Sequence, residues 1–198
     1  MNSAVSAALL SAGKALLREA KAAAAKPSGR PDGWELLGTY CVLSGPVDGI
    51  YRVAIPADNP LRLRHGDTDI VVPYAELDTD FGSIPKWCKA IAQSLHLSSL
   101  HLLPGAYPRS TLLHDAFYAS AWCWAVRDNH AVRVDLSRGA ADAALMIALK
   151  CELATRADVL TYSAAVKQFG GPAWQLHRTN PPDFPILFEN QTQPEDPQ

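Results

Sequence analysis

The chain has 198 residues, of which 48% are hydrophobic, with 15 prolines, 4 cysteines and a formal net charge of -2. That length supports one domain with a full core and flexible ends rather than two complete domains. A near-neutral chain has no overall basic field, so nucleic acid is not an expected partner, and no run approaches the roughly 20 apolar residues of a membrane span.

Cys41, Cys88, Cys123 and Cys151 are too far apart for C-x-x-C metal or redox spacing and sit among apolar neighbours, so they read as reduced, buried thiols and not as a disulfide framework. Residues 1–12 are apolar but have no basic start, which argues against a cleaved signal peptide. A soluble protein made in a reducing cytoplasm is expected, not a secreted, disulfide-rich one.

Residues 4–26 are rich in alanine, with Val5, Leu9, Ala12, Leu16 and Ala20 on one helical stripe and Lys14, Arg18 and Lys21 on another. The apolar stripe is too shallow to hold lipid well, so packing against its own domain or a partner helix is preferred to a membrane role. K-P-S-G-R-P-D-G at residues 26–33 ends this helix with strong breakers and reads as a linker, which leaves the helix free to stand apart. From Trp34 the period shifts toward two. Runs at 34–43, 50–55 and 69–73, separated by turn chemistry such as G-P-V-D-G at 45–49, predict a small antiparallel sheet. The loop D-T-D-F-G-S-I-P at 78–85 then caps a helix to about Leu97, with Ser83 at the N-cap and Pro85 in the first turn.

Beyond Pro104 and Pro108 comes a helix that carries T-L-L-H-D-A-F-Y at 111–118 and is expected to continue through Trp122, Cys123 and Trp124 to a polar turn at 127–130. Ser137 caps the next helix, which places Asp142 on a stripe with Leu145, Met146, Leu149 and Leu153. A last helix at 157–169 is stopped by G-G-P at 170–172. These elements predict an α+β domain at residues 34–177: a small antiparallel sheet followed by a layer of three to four helices. An appended N-terminal amphipathic helix (1–26), a linker (27–33) and a disordered proline-rich tail (178–198) flank it. Within the tail, F-P-I-L-F at 184–188 is the one segment apolar enough to dock.

His114 and Tyr118 lie one above the other on their helix, with Asp115 turned roughly 100° away. A carboxylate on the inward face of the next helix costs several kcal/mol unless it is paired, so Asp142 needs a partner, and His114 is the best one available. A histidine held by an aspartate keeps one tautomer and becomes a better proton acceptor, which is what activation of water requires. The same three residues also make a polar network that staples two helices, with Tyr118 satisfying Asp142, and spacing leaves both readings open. Asp80 and Ser83, in a loop with Gly82, are placed to reach a metal or a substrate, although D-x-x-S before a helix is also ordinary capping chemistry. The remaining histidines have no ligand spacing, so no zinc site is expected.

V-V-P at 71–73, T-D-F-x-S-I-P at 79–85, L-H-D-x-x-Y at 113–118 and S-R-x-x-A-D at 137–142 together resemble the phage-associated family called domain of unknown function 1353, over roughly residues 34–175. The resemblance implies a bacteriophage or prophage setting, in the virion or the host cytoplasm, without an established activity. H-D-x-x-Y also resembles the catalytic helix of secreted phospholipases of the A-two class. That likeness implies His114 as the base, Asp115 as a ligand for a divalent cation such as calcium, and Asp142 with Tyr118 as the orienting pair, with Asp80 as a substitute ligand. The chain departs from those enzymes in lacking their flanking cysteines and their glycine-rich calcium loop. Two functions follow: a phage-encoded protein with a hydrolase-like His/Asp site, or a non-enzymatic virion structural or tail-assembly component. In the second, the cluster holds the fold, and residues 1–26 and 184–188 bind other phage proteins or further copies of the chain.

Overall fold

The computed structural model describes residues 3–26, 31–81 and 106–189. Within them the chain is α+β. β1 (Trp34–Leu37), β4 (Arg62–His65), β5 (Thr68–Val71), β7 (Trp122–Arg127) and β8 (His130–Asp135) form a five-stranded antiparallel sheet of order β1-β4-β5-β7-β8. β2 (Cys41–Val47), β3 (Ile50–Ala54) and β6 (Glu76–Thr79) form a second, three-stranded antiparallel sheet of order β2-β3-β6. The run expected as one strand at 34–43 is therefore split between two sheets. The break is at Gly38, whose φ is +89° and where a Cβ would collide with the Pro60 carbonyl, so glycine alone allows this turn.

Four described helices complete the chain: α1 (Ser3–Ala25), α2 (Pro108–Ser120), α3 (Arg138–Cys151) and α4 (Arg156–Thr179). The helix expected after Ser83 lies outside the described residues.

α1 is not an appendage. Leu9, Leu16, Leu17 and Ala20 are buried in the main core, and the helix lies on β5, β7 and β8 and beside α3. Its small residues are what permit the contact. A Cβ on Gly13 would come within 2.7 Å of the Ala125 side chain and 2.9 Å of Val134, so the helix backbone rests directly on the sheet. The last turn is tied down as well: Lys150, only 5% exposed, donates from Nζ to the carbonyls of Ala23, Ala24 and Lys26 at 3.2, 3.3 and 2.7 Å. These are the carbonyls a helix end leaves without partners.

Two further expectations are corrected. Residues 122–127 do not extend α2. Ala121 turns left-handed at φ +58°, and W-C-W-A-V-R becomes β7, an inner strand buried between β5 and β8. The polar turn at 127–130 is a two-residue hairpin with Asp128 and Asn129 at φ +50° and +63°, the backbone that twists two strands together. The stop at Gly170 is also not used, because α4 runs on through Pro172 to Thr179.

The tail docks where its apolar run suggested. Tyr74 bridges Ile186, the Ala75 and Leu187 amides donate to the Pro185 and Pro73 carbonyls at 2.7 Å each, and Leu187 is buried. Residues 190–198 lie outside the described residues. Among the cysteines described, Cys41 is an exposed free thiol rather than a buried one, Cys151 is half-buried and Cys123 is fully buried. No described helix is long and apolar enough to cross a membrane.

If α1 belongs to the core, a chain starting at residue 27 should lose cooperative unfolding, and Lys150→Met should cost about 1–3 kcal/mol by leaving carbonyls unpaired. Urea denaturation measures both. A truncated chain that unfolds at nearly the same urea concentration as the whole one would contradict this packing.

Candidate functional site

α2 starts at Pro108, where a missing N–H costs nothing, and its first turn is capped from a distance. Glu152, just past the end of α3, accepts from the Ser110 amide at 3.0 Å and pairs with Arg109 at 3.2 Å. A carboxylate at a helix N-terminus satisfies unpaired amides and suits the macrodipole, so this contact fixes α2 against α3. The β7–β8 hairpin then returns the chain, its base closed by the Leu136 amide donating to the Ala121 carbonyl at 2.7 Å. α3 therefore starts beside the end of α2. Asp142, five residues beyond its Ser137 cap, faces Tyr118 and His114.

Asp142 Oδ1 accepts from the Tyr118 hydroxyl at 2.6 Å and faces His114 Nε2 at a longer 3.4 Å, while Oδ2 faces Arg138 Nε at 3.7 Å. Burial is the largest single influence on this carboxyl and raises its pKa. The hydrogen bonds from His114 and Tyr118, with the nearby charge of Arg138, act against burial, and the carboxyl is held below the ordinary carboxylate range. Burial, then the bonded Asp142, pushes the Tyr118 phenol up, so it remains a donor.

With Nε2 directed at a carboxylate, the network assigns the Nε2–H tautomer and leaves Nδ1 as an acceptor. The residue is only 3% exposed, and among the described residues Nδ1 has no hydrogen-bond partner. The nearest charged group to it is Asp115, with Oδ1 at 4.0 Å. Asp115 Oδ2 accepts from Thr79 Oγ1 at 2.6 Å, and that same oxygen accepts from the Phe81 amide at 2.9 Å, which ties α2 to the end of β6.

His114 lines a cavity of about 470 Å3, within the range of roughly 300–1,000 Å3 usual for small-molecule sites. One wall carries His114, Asp115, Asp78 and Asp80. The facing wall is a stripe of α4, in which Val166, Phe169, Gly170, Ala173 and His177 recur at helical spacing. His114, Tyr118 and Asp142 are thus brought together, and Asp80 and Asp115 border the same cavity as His114. Ser83 lies outside the described residues. Among the described residues no group of three His, Cys, Asp or Glu side chains is placed to hold a metal ion, so Asp80 and Asp115 do not by themselves make up a calcium site.

Sequence reasoning missed Arg138, Thr79 and the whole α4 wall. The signal for the wall is the 166–177 stripe, hidden by reading G-G-P as a stop. Those glycines have a different reason. A Cβ on Gly170 would run into the Tyr118 hydroxyl, and one on Gly171 would come within 2.9 Å of Arg138 Nη1, so bare backbone lets α4 close over the Asp142 cluster. Past Pro172, Trp174 packs edge-on to Tyr118 at 5.1 Å. Arg178 donates to the Tyr118 and Ala119 carbonyls at 2.7 and 3.1 Å, capping α2 from outside.

Since the native pKa of Asp142 is lowered, its ionised form contributes stability above the unfolded carboxylate value of about 4, and that contribution is lost as pH falls through the lower native value. Asp142→Asn should therefore cost about 1–3 kcal/mol at pH 7, with the deficit shrinking in acid. Urea denaturation across pH checks it, and an equal deficit at neutral and strongly acidic pH would show that the carboxylate is not held ionised.

No protein family matches this chain, and no curated protein or solved structure is detectably similar to it.

Proposed function

We propose that this chain is a phage-associated hydrolase in which His114 is the general base. The observation that carries the reading is His114 on the lining of a cavity of about 470 Å3, with Nε2 facing Asp142 at 3.4 Å and Nδ1 without a hydrogen-bond partner among the described residues. A ring nitrogen without a protein partner is free to accept a hydrogen bond from water or substrate.

In the proposed reaction a water in the cavity donates to Nδ1. As its oxygen bonds to an ester or amide carbonyl carbon, its proton moves to Nδ1, and Asp142 stabilises the imidazolium that forms. The proton then passes from Nδ1 to the departing oxygen or nitrogen as that bond breaks, giving an acid and an alcohol or amine. Tyr118 and Arg138 act as positioning residues that hold Asp142 under Nε2. No step is routed through a metal, since among the described residues no three His, Cys, Asp or Glu side chains are placed to hold one.

The competing reading is a virion tail or assembly component. Its two expected binding segments, α1 and residues 184–188, bury apolar side chains within their own domain instead. One observation does favour association: β2 is an edge strand exposed along its whole length, with Val42, Leu43 and Val47 facing solvent.

Purified protein should hydrolyse a simple aryl ester or amide, tested with and without calcium, magnesium and manganese. His114→Gln should lower kcat by about 100-fold or more and leave the melting temperature within a few degrees. Turnover that survives His114→Gln, or no turnover together with a large loss of stability in that variant, would favour the assembly reading.

A further inference from the structure

A second cavity, of about 460 Å3, opens on the other side of Asp142, between α1, α3 and α4. Lys21 comes to it from α1, Arg138 from α3, and Lys167 with Ser163 from α4. Among the described residues Asp142 is the one carboxylate on its lining, and its Oδ1 is already engaged by His114 and Tyr118. The contacts of the cations are weak. Lys21 Nζ donates to the neutral Ser137 hydroxyl at 3.3 Å, Arg138 Nη2 to the Lys167 carbonyl at 3.4 Å, and Arg138 Nε stands 3.7 Å from Asp142 Oδ2. Among the described residues, neither Lys21 nor Lys167 has a carboxylate within 4.0 Å. Among the described residues this lining carries three cationic side chains and one carboxylate, a balance that favours an anion there.

We propose that this cavity binds a small phosphate-bearing anion, and that the anion signals to His114 by drawing Arg138 away from Asp142. A concave site of this volume fits a soluble molecule rather than a membrane surface. Arg138 is the shared element. It is a planar donor suited to bidentate phosphate contact, it lies beside Asp142, and the missing side chain at Gly171 leaves its Nη1 unblocked by a Cβ. As the guanidinium turns to the ligand, Asp142 loses a compensating charge and interacts more strongly with the His114 ring. This coupling does not depend on the hydrolase reading, because it concerns the His114–Asp142 pair whatever that pair does.

The test titrates inorganic pyrophosphate into the full chain at low ionic strength, with binding followed by calorimetry and the His114 imidazole followed by NMR at fixed pH. Saturable binding is expected, weakened about tenfold or more in the Lys21→Ala/Lys167→Ala double variant. The His114 resonances should move with the same saturation curve. Absence of saturable binding, or binding untouched by the double variant, would overturn the site. Saturation that leaves His114 unmoved would overturn the coupling. Vesicles of anionic phospholipid serve as the second arm, and retention on them without pyrophosphate binding would overturn a soluble ligand.

Discussion

A carboxylate cannot be taken out of water alone, and the arrangement of three helices follows from satisfying Asp142. It stands on an otherwise apolar face of α3, and its partners come from two directions: His114 and Tyr118 from α2, and Arg138 one turn back on α3. These contacts make the exposed-surface residues of an isolated helix into a polar seam between two. α4 then closes over the seam. Its two glycines pass the Tyr118 hydroxyl and the Arg138 guanidinium without side chains of their own, and Arg178 finishes the end of α2.

The same seam gives the histidine an asymmetric environment. One ring nitrogen faces the Asp142 carboxylate, and the other has no hydrogen-bond partner among the described residues, on a side chain that lines a cavity. A purely structural staple would satisfy both ends of the ring, as buried polar groups generally are. The seam also places Asp142 between two cavities of similar size, one reached through His114 and the other through Arg138.

Much of this was legible in the residues. The helical spacing of His114 and Tyr118, the inward position of Asp142 and the cap at Ser137 need only periodicity and the cost of a buried charge. What was hidden depends on tertiary contact. W-C-W-A-V-R is buried as an inner strand, and such a strand is apolar on both faces, so its period cannot be told from that of a buried helix. Gly170 and Gly171 carry the ordinary signature of a helix end, yet they mark close approach to Tyr118 and Arg138. Alanine-rich α1 looks weakly amphipathic because its small residues suit backbone contact with the sheet at Gly13 rather than deep insertion. In each case a local propensity was overridden by packing between parts of the chain distant in sequence.

The central claim is that Asp142 holds His114 through Nε2 and so leaves Nδ1 to act as the base. Nitrogen-15 NMR of the imidazole in the whole chain reads this directly. The account predicts that the neutral ring carries its proton on Nε2, with an Nδ1 shift typical of a bare acceptor and the Nε2 signal perturbed in Asp142→Asn. A His114 protonated at Nδ1 and bare at Nε2, or one indifferent to the loss of the Asp142 charge, would contradict it.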